Sequence, residues 1–181
     1  MKQTITAGAS VLLLCSAAAL AEVTCDDDGN ENPAVPASTP TAQFELHADG
    51  TVTDTTTELV WMRCALGQAW DGTTCTGTAN THAWQEALQE VQNLNGNGGF
   101  AGHTDWRLPN VRELGSIVEQ RCWEPAINAA VFLNAPTGWF WSSSPHAYNT
   151  GNAWVVNFDG GRVNWGGEYV DPRVRLVRAG Q

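Results

Sequence analysis

The chain has 181 residues, a length typical of one domain once a leader and an N-terminal tail are subtracted. It carries 19 Asp and Glu against 9 Lys and Arg, a formal net charge of −10, which argues against nucleic acid as a partner held by charge. Beyond the leader no stretch is apolar enough to span a membrane, so we expect no transmembrane segment there.

The first 21 residues have the pattern of a secretory signal peptide. A basic residue precedes the short apolar stretch Ala7–Leu20, and Ala19-Leu20-Ala21 fits the small-residue cleavage pattern. We therefore predict an exported protein, located in the periplasm, at the cell surface or outside the cell. Lipidation of Cys15 is the alternative, and it is disfavoured because Leu14 stands where a small residue normally precedes a lipidated Cys.

Four cysteines follow the leader, namely Cys25, Cys64, Cys75 and Cys122. Four cysteines in an exported domain indicate two disulfides, which can be connected in three ways. Cys64 and Cys75 flank a loop rich in Gly and Thr, so we expect them to pair locally. This pairing leaves Cys25 to bond with Cys122. No two cysteines are close enough in sequence for a CxxC redox or zinc motif.

Composition divides the rest of the chain in two. Residues 22–42 are acidic and rich in Pro with almost no large apolar side chains, which predicts a loosely held tether. Residues 43–181 are predicted to form the domain. Its first part contains the hairpin signal Asp49-Gly50 and predicts strands near Thr51–Thr53 and Leu59–Met62.

Two helices are predicted next. Apolar residues at helical spacing predict a helix over Thr81–Leu94, with Thr81 as its cap. A second helix is predicted from Val111 to about Gln120, with Asn110 as its N-cap. Glu113 stands three residues after this cap, where its carboxylate can reach back to the cap amide and complete a capping box.

The segment that precedes the second helix, TDWRLPN at 104–110, predicts a corner with a framework role. Pro109 cannot lie inside a helix, since it lacks an N–H donor. Trp106 is of a type that is usually buried, and we expect Arg107 to anchor the corner to a carboxylate or to carbonyl groups. Together with Asn110 and Glu113, these residues would hold the helices against a sheet.

Short apolar runs in the last third of the chain predict antiparallel strands at 139–141, 153–156, 163–165 and 174–177. Strands, then helices, then strands is the order of an α+β domain with its helices grouped against an antiparallel sheet. Alternation predicts that Trp139 and Trp141 share one face, opposite Phe140. Arg175 and Arg178 would likewise lie on opposite faces of the last strand, so we expect at most one of them to be structural.

Eight motifs are distributed along the chain: DGTVTD at 49–54, LVWMRCALGQAWDG at 59–72, AWQEAL at 83–88, DWRLPNVREL at 105–114, PAIN at 125–128, WFWSSSP at 139–145, AWVVNF at 153–158 and VRLVR at 174–178. Together they resemble the C-terminal domain family of the Legionella collagen-like protein, a domain of unknown function, over residues 44–178. The collagen-like repeat of the namesake is absent from this chain.

This resemblance implies a C-type-lectin-like fold. Two helices would pack on a twisted antiparallel sheet, and the first and last strands would pair so that the termini lie adjacent. The family occurs in secreted or surface bacterial proteins, and one member binds sulfated glycosaminoglycans. The resemblance therefore implies an adhesin or lectin-like function with a glycan or a surface protein as partner. A homo-oligomer, such as a trimer, is neither predicted nor excluded, because the collagen-like stalk that would form the trimer is absent from this chain.

The segment 142–169 is the predicted binding surface, because it combines aromatic, amide and hydroxyl side chains that give adaptable contacts at low entropic cost. The candidate ligand-binding residues are Ser143, His146, Tyr148, Asn149, Asn152, Asn157, Asp159, Arg162, Asn164, Trp165 and Tyr169. The alternative is that the tryptophans at 139, 141, 154 and 165 fill the core. We expect this of at least two of them.

Other functions are weighed against binding. GxSxG and HExxH motifs are absent, and the run Ser142–Ser144 near His146 is better explained as a hydrogen-bonding edge, so we predict no catalytic residues. No cofactor or metal site is predicted, although calcium is left open. Only Arg162, Arg173, Arg175 and Arg178 could bind a sulfated polymer. A structural subunit of a surface or envelope assembly remains the alternative function.

Overall fold

The structure is a computed structural model that describes residues 23–26, 30–166 and 172–180. The predicted signal peptide (1–21) and Tyr169 lie outside these ranges. The elements in chain order are β1 Phe44–Leu46, β2 Thr51–Asp54, β3 Leu59–Met62, β4 Ala69–Trp70, β5 Cys75–Thr76, α1 Trp84–Gly96, α2 Val111–Ser116, β6 Trp139–His146, β7 Asn149–Asn157, β8 Arg162–Gly166 and β9 Val177–Ala179. Within the described ranges, no helix has the length and apolar character needed to cross a bilayer.

The strands form three antiparallel sheets, with the orders β1-β2-β3-β9, β4-β5 and β6-β7-β8. Two helices with antiparallel sheets confirm the predicted α+β class. The expected pairing of the first and last strands is wrong, because β9 pairs with β3. β3 lies inside this sheet, between β2 and β9, and its Trp61 side chain is completely buried.

The β6-β7-β8 sheet separates two hydrophobic clusters. Phe140 and Val156 pack into the cluster that contains Leu114 of α2, whereas Trp141 and Val155 pack into the cluster that contains Ala87 and Val91 of α1. Trp139 packs against this second cluster as well. Trp139 and Trp141 therefore share one face and Phe140 takes the other, as the alternation predicted.

Both helices differ from the predicted ranges. α1 begins at Trp84, and its N-cap is Ala83 instead of Thr81. The amide of His82 donates to the carbonyl of Pro172, which holds the preceding backbone extended, and the Glu86 carboxylate accepts the Ala83 N–H at 3.1 Å. α2 ends at Ser116, well before Gln120.

The early end of α2 frees Glu119 to bind the N-terminal segment. The Glu119 side chain is completely buried, and its carboxylate accepts hydrogen bonds from the amides of Ser38, Thr39 and Arg121 and from the Thr39 hydroxyl. Burial alone would raise the pKa of Glu119, but these hydrogen bonds outweigh it and the pKa lies below the ordinary value.

Residues 30–42 do not form the loosely held tether that their composition predicted. The amide of Asn32 donates to the carbonyl of Arg121, and the side-chain amide of Asn128 donates to the carbonyl of Thr39. Backbone hydrogen bonds and one buried carboxylate thus replace the apolar contacts that the segment lacks. The predicted disulfides Cys25–Cys122 and Cys64–Cys75 are both confirmed, and the first fixes the start of this segment to the domain.

The corner before α2 is held by a charged pair and a cap. Arg107 donates to both carboxylate oxygens of Glu113, at 2.7 and 2.8 Å, and Glu113 also accepts the Asn110 N–H at 2.7 Å. The Asn110 side chain accepts the Arg112 and Glu113 amides and completes the capping box. Trp106 is buried, and its indole N–H donates to the carbonyl of Phe100.

The prediction that at most one of Arg175 and Arg178 is structural is wrong, since both are buried. Strand β9 begins at Val177, so Arg175 precedes it and strand alternation does not relate the two side chains. Arg178 donates from Nε to Asp105 at 2.8 Å, and Arg175 donates to main-chain carbonyls of β3 and the residue after it.

Candidate ligand-binding surface

Strand β6 carries an irregularity that joins the sheet to α2. Its pairing with β7 shifts between Trp141 and Pro145, and the serines at 142–144 lie in this bulge. The Ser142 hydroxyl donates to the carbonyl of Trp154 at 2.7 Å, and the Ser144 hydroxyl accepts the Val111 N–H at 3.0 Å. These two hydroxyls therefore serve the fold and do not form an exposed nucleophile.

Beyond the bulge, three aromatic side chains stack on one face of the sheet. Trp154 of β7 lies directly opposite Trp165 of β8. The His146 ring at the end of β6 lies 5.4 Å from the Trp154 ring and 5.6 Å from the Trp165 ring, measured between centroids. The outermost member, Trp165, is 52% exposed, so the stack ends at solvent.

This stack belongs to an exposed apolar patch. Among the described residues, five large apolar side chains are exposed, and Tyr148, Val163 and Trp165 are three of them. Tyr148 is 95% exposed in the β6–β7 turn, and Val163 is 53% exposed on the same face of β8 as Trp165. We call Tyr148, Val163 and Trp165, together with His146 and Trp154, the hairpin patch.

The hairpin patch lacks negative charge, although the chain has a formal net charge of −10. The segments 142–158 and 160–166 contain no Asp or Glu, and they contain one Arg, Arg162, which is exposed. Asp159 lies between these segments, but its carboxylate is occupied in the β7–β8 turn. It accepts the Gly138 N–H at 2.6 Å and the Asn157 side-chain N–H at 2.9 Å.

The structure divides the predicted ligand-binding residues into two groups. The residues with side chains at or near the surface are Ser143, His146, Tyr148, Asn149, Arg162, Asn164 and Trp165. Asn152 and Asn157 are buried, and Asn157 and Asp159 hold the turn together, so these three do not belong to a contact surface. Sequence reasoning missed Val163, although its two-residue spacing from Trp165 is a signal that places both on one face.

The arginines proposed for sulfated polymers also divide. Arg175 and Arg178 are buried and hydrogen-bonded to the protein, so they cannot act as surface cations. Arg162 is exposed on β8, and Arg173 donates to the carbonyl of Thr137 at the edge of a 470 Å³ cleft that Gln68, Thr76 and Asn134 also line. The surface therefore offers little concentrated positive charge in the described part of the chain.

Clefts in the described part of the chain lie apart from the hairpin patch. A cleft of 530 Å³ lies beside Cys25, lined by Asp26, Pro125 and Asn134 among others, on residues outside the hairpin patch. Within the described ranges, no group of three or more His, Cys, Asp or Glu side chains is arranged to hold a metal ion.

A known protein family matches most of the chain. The family model described as the Lcl C-terminal domain matches residues 50–178, which is well over half of the chain and includes both helices and all of β6 to β8. Among curated proteins, no sequence matches the chain.

Proposed function

This chain belongs to the Lcl C-terminal domain family, and we propose that it is an exported, non-catalytic binding domain that recognises carbohydrate through the hairpin patch. The leader pattern and two disulfides support export, because disulfides persist in oxidising compartments. We also propose that the fold is C-type-lectin-like. The mixed architecture and the family support this finer assignment.

The observation that carries the proposal is the exposure of Tyr148, Val163 and Trp165 in segments 142–158 and 160–166, which contain no Asp or Glu. Exposed apolar patches that group several large side chains typically mark interaction sites. Tyr and Trp suit such sites, because they offer rigid contact area with a polar atom at one end. A sugar ring presents an apolar C–H face for stacking and hydroxyl groups at its rim, and this surface complements both.

The stacking platform in this proposal is Trp165, which has Trp154 beside it on β7 and His146 in ring contact. Its ring is held by the centroid contact of 5.6 Å with His146, so little conformational entropy is lost when a ligand binds. Hydrogen bonds to sugar hydroxyls would come from the Tyr148 phenol and from Asn149, both exposed at the adjoining β6–β7 turn. Arg162 and Asn164 lie on the opposite face of β8 from Trp165, so we assign them no contact with the stacked sugar.

A glycan array probed with the purified chain tests the proposal. We expect retention on a subset of glycans, and we expect Trp165→Ala to lower affinity at least about tenfold, as loss of a central aromatic contact typically does. Trp123→Ala is the matched control, because Trp123 is 42% exposed outside the patch and its removal should leave binding unchanged. Absence of signal on every glycan, or equal loss in both variants, would contradict the assignment of this surface.

A further inference from the structure

The backbone of β8 presents hydrogen-bonding groups to solvent at two positions. The carbonyl of Trp154 accepts from Ser142 of β6, so the backbone N–H and C=O groups of even-numbered residues in β7 point towards β6. The carbonyl of Asn157 accepts from Gly161 at the start of β8, so the backbone groups of odd-numbered residues point towards β8. Because Val155 of β7 pairs with Asn164 of β8, the backbone groups of residues 162, 164 and 166 point towards β7. Val163 and Trp165 therefore direct their N–H and C=O groups away from the sheet.

In the described part of the chain, β8 is an edge strand that pairs only with β7. The outward amide of Trp165 donates to the side-chain oxygen of its neighbour Asn164 at 2.9 Å, which occupies one donor locally. The side chains of Val163 and Trp165, on the same two residues, are 53% and 52% exposed. Such an edge is a template for another strand unless charge or a covering element protects it.

The sequence of this edge is complementary to itself. When two copies of β8 pair antiparallel about a two-fold axis at Asn164, Val163 of each copy lies opposite Trp165 of the other. These are the residues with outward backbone groups, so each pair exchanges two main-chain hydrogen bonds. Their side chains lie side by side on the same face, with their outer surfaces still open to solvent, and the rows continue to Trp154 and Val156.

Charge favours the same contact. Two chains with a formal charge of −10 each repel one another over most of their surfaces, but residues 160–166 contain no acidic side chain. In the two-fold register, Arg162 lies opposite Gly166 of the other copy, so the two arginines are four residues apart along the pair and do not oppose each other. This edge is a place in the described structure where two copies can approach without acid facing acid.

We propose that the chain forms a symmetric dimer by antiparallel pairing of β8 with β8 of a second copy, centred on Asn164. The carbonyl of Val163 from the second copy replaces the Asn164 side chain as acceptor for the Trp165 amide. The two β6-β7-β8 sheets then become one sheet of six strands. Because only the five residues of β8 pair on each copy, against the roughly 20–30 residues a side of a standard stable interface, the dimer is expected to dissociate on dilution.

Cysteine cross-linking tests the register. A non-hydrogen-bonded antiparallel pair has Cα atoms about 4.5 Å apart, within the range of a disulfide, so Asn164→Cys is expected to form a covalent dimer when oxidised with diamide. Arg162→Cys is the matched control. It is also exposed on β8, but its copies would be about 13 Å apart at the rise of an antiparallel strand, so it should form no covalent dimer. Equal cross-linking of both variants, or none of Asn164→Cys, would overturn the proposal.

Sedimentation equilibrium tests the interface without new cysteines. We expect the weight-average mass of the unmodified chain to rise with concentration from that of one chain towards twice that value. Val163→Lys adds a charge to the β8 edge and should abolish the rise. Leu46→Lys should retain it, because Leu46 is 46% exposed on β1, at the edge of the β1-β2-β3-β9 sheet. A mass that stays constant, a trimer, or loss of association in Leu46→Lys alone would refute the β8 dimer. These measurements use no glycan, so they stand apart from the carbohydrate assignment.

Discussion

The guanidinium of Arg175 lies 4.7 Å from the centre of the Phe132 ring, in the interior of the domain. Its Nη1 donates to the carbonyl oxygens of Met62 and Arg63. The ion pairs found among the described residues do not include it, so carbonyl dipoles and aromatic faces hold this charge. Burial lowers the pKa of Arg175 to about 9, which still leaves the group charged at pH 7.

The substitution Arg175→Met is expected to lower the free energy of unfolding by about 2–4 kcal/mol, because two buried carbonyl groups lose their donor. Arg162→Met is the control. Arg162 is exposed, and its replacement should change stability by less than about 0.5 kcal/mol. Urea denaturation of both variants provides the measurement. Indistinguishable unfolding midpoints would show that the buried guanidinium contributes nothing to the fold.

The two disulfides are expected to differ in their contribution to stability. Cys25 and Cys122 are separated by 97 residues, whereas Cys64 and Cys75 are separated by 11. In the loop-entropy account, the longer loop restricts the unfolded chain more, by about 1–2 kcal/mol at these lengths. The double variant Cys25→Ser/Cys122→Ser should therefore unfold at lower denaturant than Cys64→Ser/Cys75→Ser. The reverse order would indicate that the Cys25–Cys122 bond adds little stability beyond that of the hydrogen bonds that already hold the N-terminal segment.

Acid is expected to release the N-terminal segment through Glu119. The pKa of this carboxyl is lowered in the folded state, so its contribution to stability is fully present above the ordinary value of 4.5 and is lost as the pH falls through the folded value. The amides of Ser38 and Thr39 donate hydrogen bonds to Glu119, so their protection from hydrogen exchange, measured relative to the intrinsic rate, should fall as the pH is lowered from 6 to 3.

The variant Glu119→Gln should remove most of this pH dependence and show fast exchange at both amides already at pH 6. Glu45→Gln is the control, because Glu45 is exposed on β1 and should behave like the unmodified chain. Protection of Ser38 and Thr39 that persists in Glu119→Gln would mean that other contacts hold the segment.

Salt should have little effect on glycan binding. The hairpin patch contains no acidic side chain and no arginine, Arg162 lies on the opposite face of β8, and Arg175 and Arg178 are buried. Affinity that comes from stacking on Trp165 should change less than about threefold between 50 and 500 mM salt, because screening acts on charge pairs. A steep loss of affinity with salt would point instead to an anionic ligand bound through Arg162 and Arg173.

Local chemistry explains which parts of the fold could be predicted from the sequence. The Asn110–Glu113 cap depends on residues three apart, and the Cys64–Cys75 disulfide depends on a short loop, so each is encoded within a few positions. The docking of residues 30–42 depends on Glu119, a residue 80 positions from Thr39, and nothing in the composition of the segment indicates this contact.

The binding surface was only partly predictable for a similar reason. Residue type identified a polar and aromatic segment, but exposure depends on which neighbours cover each side chain. Asn157 and Asp159 have the same chemistry as surface contacts, yet the β7–β8 turn uses both. Val163 has an apolar side chain of the type usually found in a core, yet it is exposed because β8 is an edge strand in the described structure.

The disulfide between Cys25 and Cys122 has a mechanical consequence. When tension is applied to the chain between a point before Cys25 and a point after Cys122, the sulfur–sulfur bond carries the load between them. The intervening residues, with strands β1 to β5 and both helices, cannot be extended as long as this bond is intact. A pulling experiment on the oxidised chain would then extend only the part after Cys122, and the reduced chain would gain the length of the bypassed loop.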